Sequence, residues 1–212
     1  MSSELATAHR VHEAHAPHRD PVGLKIGMWL FLFTEITLFG TLFIAFAVYL
    51  HAYKLDFQAA SGELNVPIGT LNTIVLLTSS LTMALAIQAL QRRDKTQSIL
   101  LMGVTLLFAC TFLVVKAFEW NAKFHHHIYP GSEVLLLRPR GEIVFFGLYF
   151  TMTGLHALHV VIGGIVILFA VSRVRKGLTS ADRPEFIEYT GLYWHLVDLV
   201  WIYLFPLFYL IS

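Results

Sequence analysis

IVFFGLYFTMTGLHALHVVIGGIVILFAV, residues 143–171, contains no Asp, Glu, Lys or Arg. An α-helix rises about 1.5 Å per residue, so about 20 apolar residues cross the hydrocarbon of a bilayer. This stretch is longer than that and is expected to cross at a tilt. Four further apolar segments meet the same length test: residues 26–50, 68–90, 98–118 and 191–211. Five buried helices of a soluble core would need a polar outer shell. The chain is 56% hydrophobic and only 14% charged, with a mean hydropathy of +0.65, whereas a soluble domain carries roughly 25% charged residues. Apolar surface must therefore face lipid. The reading is an all-α integral membrane bundle of five transmembrane helices, with a polar, His-rich tail over residues 1–24 and a membrane domain over residues 25–212.

The remaining composition excludes several functions. A net charge of +1 gives no field to attract nucleic acid or acidic substrates. The single cysteine, Cys110, excludes an internal disulfide and any multi-cysteine metal or iron–sulfur site. Residues 1–25 do not read as a cleavable signal. No phosphate-cradling glycine loop, GxSxG turn or HExxH pair is present. The chain shows no catalytic apparatus of its own, which suggests that it serves an enzyme it does not run.

Orientation follows from the basic residues. The N-terminus and the second and fourth loops hold ten Lys and Arg (Arg10, Arg19, Lys25, Arg92, Arg93, Lys95, Arg173, Arg175, Lys176, Arg183). The opposite side holds five (Lys54, Lys116, Lys123, Arg138, Arg140). By the positive-inside rule the N-terminus is cytoplasmic and the C-terminus periplasmic.

A charge at the bilayer centre costs about 3 kcal/mol on insertion scales, so each one retained there marks a site hypothesis. Glu35 lies about ten residues into the first segment. Lys116 and Glu119 close the third at i,i+3 spacing, which places them on one face. On the fourth, Thr153, His156, His159 and Gly163 share a stripe; Glu188 precedes the fifth, and His195 and Asp198 lie in its first two turns. Two readings stand for these stripes. Glycines and polar side chains glue transmembrane helices together; the same residues could form a proton relay or a lipid-headgroup site. A bound metal or haem is disfavoured, because no second set of ligands is evident to face the histidines. His9, His12, His15 and His18 recur every three residues in the tail, and His125–His127 form a run in a loop. Neither has the spacing of a structural zinc site, and both read as solvated surface.

Three motifs then fall in one order. Gly27-Met28-Trp29-Leu30-Phe31-Leu32-Phe33-Thr34-Glu35 resembles a GMxLFxxSE helix. Thr153-Gly154-Leu155-His156-Ala157-Leu158-His159-Val160 resembles a TGxHxxHV signature. Glu188 through Trp201 contains YWHLVDLVW, which resembles a closing GLYWHFVDxVW helix. Together they resemble subunit III of haem–copper oxidases, from about residue 24 to the end. The short five-helix bacterial form is the closer likeness, since the two leading helices of longer members are missing. The Lys116-Ala117-Phe118-Glu119-Trp120 run also resembles short forms paired with nitric oxide reductase.

The resemblance implies a cofactor-free accessory subunit in a bacterial inner membrane. Subunit I would be its main contact and subunit II a further partner, and these would hold the haems and copper. The oxidase would be a proton-pumping cytochrome c oxidase of aerobic respiration, with a quinol oxidase or nitric oxide reductase as alternatives. Such a complex can itself join a respiratory supercomplex. A small self-contained permease is the reading of another class, weakened because no inverted repeat or broken helix is evident. Carried over by motif, Glu35 would be the buried carboxylate facing a lipid cleft. His159 and Arg173 would approach a phospholipid phosphate. His195, Asp198 and Glu188 would order the interface of the last two helices.

Overall fold

The computed structural model describes residues 21–211; the histidines of the N-terminal tail lie outside them. In chain order the helices are α1 (Pro21–Ala52), α2 (Lys54–Gly62), α3 (Val66–Gln91), α4 (Lys95–His125), α5 (Glu133–Leu136), α6 (Arg140–Arg175) and α7 (Glu185–Tyr209). Five of these, α1, α3, α4, α6 and α7, are long and apolar enough to span a membrane.

The chain divides into two compact units within α1, Met1–Thr34 and Glu35–Ser212. The described part of the first is plain helix, with Val22, Leu24, Ile26, Trp29, Leu30 and Phe33 exposed. The second holds the rest of α1 and all the other helices. Its outer surface is equally apolar. Leu100, Leu107, Val114 and Phe118 form an outward stripe on α4, the pattern of a helix that meets lipid instead of water. Cys110 is also exposed on α4.

Local sequence sets the helix ends. Asn65 accepts a hydrogen bond from the Ile68 amide, and Pro67 sits in the first turn of α3. Asp94 caps α4 by accepting from the Gln97 amide at 2.9 Å, and Ser132 caps α5 the same way. Each satisfies one backbone donor that a helix start leaves free. α6 ends at Arg175, two residues before Gly177, whose φ of +72° suits glycine; the Leu178 amide returns to the Arg173 carbonyl, closing the helix end.

The structure corrects several expected boundaries. α4 continues to His125, so Lys116 and Glu119 lie in its interior and do not close it. α7 begins at Glu185, so Glu188 sits in its first turn and does not precede it. His195 and Asp198 consequently lie roughly three to four turns in. The segments read as loops on either side of α3 and α4 contain α2 and α5, each seated by a buried residue, Phe57 and Leu135.

Contacts at both ends fix the up-and-down order. At one end Arg93 pairs with Asp182 at 3.0 Å, and Gln91 donates to Glu188 at 2.9 Å. At the other, Arg138 bonds Glu63 and Glu142, the Gly141 amide donates to Asp56, and Ser61 donates to the Phe208 carbonyl. Burial works against the Arg138 charge, but the two carboxylates outweigh it and raise its pKa above the ordinary value. At this same end, Phe46, Phe57, Phe145 and Phe208 meet edge to face, with centroids 5.0–5.6 Å apart in four pairs. Such pairs contribute about 0.5–1.5 kcal/mol each beyond their burial. Glycine allows close helix approach: a Cβ on Gly163 would stand 2.8 Å from the Trp194 ring.

Candidate functional site

Near the middle of α6, His159 turns toward α1. Its Nε2 lies 2.9 Å from Glu35 Oε2, and its Nδ1 lies 2.8 Å from the Leu155 carbonyl oxygen. Phe39 stands edge-on to the imidazole at 5.3 Å. A carbonyl only accepts, so Nδ1 carries a proton and donates it. The contact to Glu35 therefore needs one more proton, on the carboxyl or on Nε2. Glu35 Oε2 and His159 Nε2 thus share one proton, and both side chains are largely buried.

A second polar centre lies between α4, α6 and α7. Lys116 Nζ donates to Glu119 Oε2 at 3.1 Å, to the Tyr149 hydroxyl at 2.9 Å and to the Tyr209 hydroxyl at 2.9 Å. Both tyrosine hydroxyls donate in turn to Glu119 Oε1. All three ammonium donors are used, and both carboxylate oxygens accept. Lys116 also lies over the Tyr149 and Trp201 rings, at 4.6 and 5.3 Å from their centroids. A buried ion pair is tolerated when its remaining hydrogen-bonding capacity is filled like this.

The other sequence-predicted residues are placed as follows. His156 is fully buried between Phe112 and Trp201, and neither ring nitrogen has a hydrogen-bond partner. His195 Nδ1 meets the Ser80 hydroxyl at 2.6 Å, which joins α7 to α3. Asp198 is buried with neither carboxyl oxygen bonded. Ser79 and Ser80 flank it, but Ser79 donates to the Leu76 carbonyl and Ser80 meets His195. Glu188 accepts from Gln91.

Arg173 packs its guanidinium on Phe186 at 4.8 Å and reaches Thr179 at 3.3 Å, with no carboxylate among the described residues. His159 and Arg173 both lie on α6. The two are fourteen positions apart, roughly 21 Å along an α-helix, and both His159 nitrogens are already engaged.

A groove of about 450 Å³ opens between the second half of α1 and α7, walled by Phe43, Phe46, Tyr203 and Pro206. The described residues hold no cluster of three or more His, Cys, Asp or Glu fit for a metal.

Sequence reasoning missed Tyr149, Tyr209 and Asn72. The tyrosines reach Lys116 from α6 and α7. Asn72 is fully buried on α3 with its whole amide unpartnered. An Asn in a transmembrane segment was the one available signal.

Comparison with known proteins agrees with this architecture. The sequence model of cytochrome c oxidase subunit III matches residues 4–212. The chain is 31% identical to cytochrome bo(3) ubiquinol oxidase subunit 3 of Pseudomonas aeruginosa, over 100% of this chain and 97% of that one. It is 33% identical to cytochrome c oxidase subunit 3 of Bacillus sp. (strain PS3), over 88% and 85% of the two chains. It is 31% identical to cytochrome c oxidase subunit 3 of Synechocystis sp., over 100% and 85%.

Proposed function

We propose that this chain, which belongs to the cytochrome c oxidase subunit III family, serves a proton-pumping cytochrome c oxidase of aerobic respiration. It is an accessory, non-catalytic subunit of a haem–copper oxidase and a multi-pass protein of the bacterial inner membrane. In this reading it packs on subunit I, stands near subunit II and stabilises the partner that holds the haems. The observation that carries the reading is the family match across nearly the whole chain.

The N-terminus is assigned to the cytoplasm, on the excess of Lys and Arg at the end that carries Arg93 and Arg173. Arg173 is assigned to an anionic phospholipid headgroup there. Its aromatic seat and its lack of a carboxylate partner among the described residues support that role. Glu35 and His159 belong to a separate, mid-depth feature that supports proton uptake by the partner. Arg173→Ala is expected to lower the phospholipid retained by the purified complex; unchanged lipid content would count against the assignment.

A quinol oxidase is the second reading, favoured by the likeness to the Pseudomonas ubiquinol oxidase subunit along the full chain. Affinity purification through this chain in mild detergent, followed by an optical spectrum, metal analysis and respiration assays, separates the two. Copper in subunit II together with oxidation of reduced cytochrome c supports the first. Quinol-driven oxygen uptake with no copper in subunit II supports the second. A stable, colourless chain without haem-bearing partners would overturn both.

A further inference from the structure

Among the described residues, five side chains in the second unit have a buried polar atom without a hydrogen-bond partner, Asn72, Ser98, Trp120, His156 and Asp198, and three of them have two. Asn72 on α3, His156 on α6 and Asp198 on α7 are 0%, 0% and 3% exposed. Both polar atoms of each lack a hydrogen-bond partner. His156 touches Trp201, and Asn72 and Asp198 adjoin it through neighbouring positions on α3 and α7. The Trp201 ring lies 5.2 Å from the His156 ring, and its Nε1 donates to the hydroxyl of Thr73, next to Asn72. Asp198 is one turn before Trp201 on the same helix, and Lys116 lies over the Trp201 ring at 5.3 Å.

Buried polar groups are retained when something satisfies them. Here the protein does not. Phe112 and Trp201 wall the imidazole with carbon, and of the two serines beside Asp198, Ser79 gives its proton to the Leu76 carbonyl while Ser80 meets His195.

The chemistry of the set selects the missing partner. The Asn72 amide donates and accepts, a neutral imidazole does both, and a carboxyl accepts. A cation would have one carboxylate to hold it and the Lys116 ammonium nearby to oppose it. An anion would face Asp198. A small neutral molecule that both donates and accepts suits all three, and buried water makes about three such bonds.

We propose that Asn72, His156 and Asp198 form an internal water-binding site around Trp201, adjoining the Lys116–Glu119 centre. The bundle then has a hydrated core enclosed by an apolar shell. The labile proton of the His156 ring would exchange with these waters although the side chain does not reach the surface.

The test uses the intact oxidase complex. Cryo-electron microscopy at a resolution that shows ordered water should place density within hydrogen-bond distance, about 3 Å, of at least two of the three side chains. Solid-state NMR of histidine-labelled complex should show a water cross-peak to the His156 ring. Neither reading needs a variant to fold. In a His156→Phe complex the cross-peak should vanish and the density beside residue 156 should be lost. A dry site, direct pairing among the three side chains, or density unchanged in His156→Phe would overturn the proposal.

Discussion

Replacing Lys116 by Met tests whether the α4–α6–α7 centre is an energetic unit. The Lys116 and Glu119 side chains are 3% and 5% exposed, so solvent screens the pair little. Removing one partner of a buried pair costs about 3–5 kcal/mol, because the other charge is left uncompensated. Tyr149 and Tyr209 still donate to Glu119 in the variant. The cost therefore falls at the lower end, about 3 kcal/mol, or roughly a hundredfold in the folded-to-unfolded ratio. Glu119→Leu leaves an amine that can shed its proton and turn to the tyrosines, and costs about 2 kcal/mol. The double variant removes both charges at similar volume and costs about 1 kcal/mol or less. The two singles together should thus exceed the double by about 4 kcal/mol in a mutant cycle, well above the ~0.6 kcal/mol average of interhelical hydrogen bonds in membranes. Equilibrium unfolding by SDS in mixed micelles, followed by tryptophan fluorescence, measures all four proteins. A double variant that costs as much as the two singles together would refute the reasoning.

Three further outcomes follow from the geometry. Gly163→Ala should cost about 1–3 kcal/mol by pushing a Cβ into the buried Trp194 ring, whereas Gly147→Ala, with open space around it, should gain up to about 1 kcal/mol; thermal unfolding in detergent compares them. Glu35→Ala should lose about 1–3 kcal/mol by stranding His159 Nε2, and Glu35→Gln, which still offers a hydrogen bond, should lose less; equal losses would mean that the contact contributes nothing. Arg138→Ala should cost no more than about 1 kcal/mol, since its ion pairs with Glu63 and Glu142 are partly solvated, and the loss should shrink in an SDS titration repeated at high salt.

The five spanning helices are legible in the sequence because each carries about twenty apolar residues, and the bilayer sets that length from outside. Helix ends are less legible. The Lys116-Ala117-Phe118-Glu119-Trp120 run looked like the polar close of a segment, yet backbone hydrogen bonds carry α4 on to His125. Residues 51–67, left between the first two apolar segments, contain Gly62 and Pro67, yet α2 forms there because Phe57 is buried against Phe46 and Phe145.

At the candidate sites, spacing along one helix was readable: Lys116 and Glu119, three apart, do meet. Partners on other helices were not. Glu35 finds His159 across 124 positions, and Lys116 finds Tyr209 across 93. Helical periodicity says which residues share a face, but not which face of another helix lies opposite. Periodicity likewise puts His159 and Arg173 on one face of α6 while fourteen residues separate them in depth.

The single cysteine, standing exposed on the outer face of α4, makes the chain its own reporter. A thiol-reactive spin label or fluorophore would attach within the apolar belt at one defined position, with no cysteine to delete and none to introduce. Quenching by lipid-dissolved oxygen would mark Cys110 as facing acyl chains, while protection on assembly would mark α4 as the face that meets a neighbouring subunit.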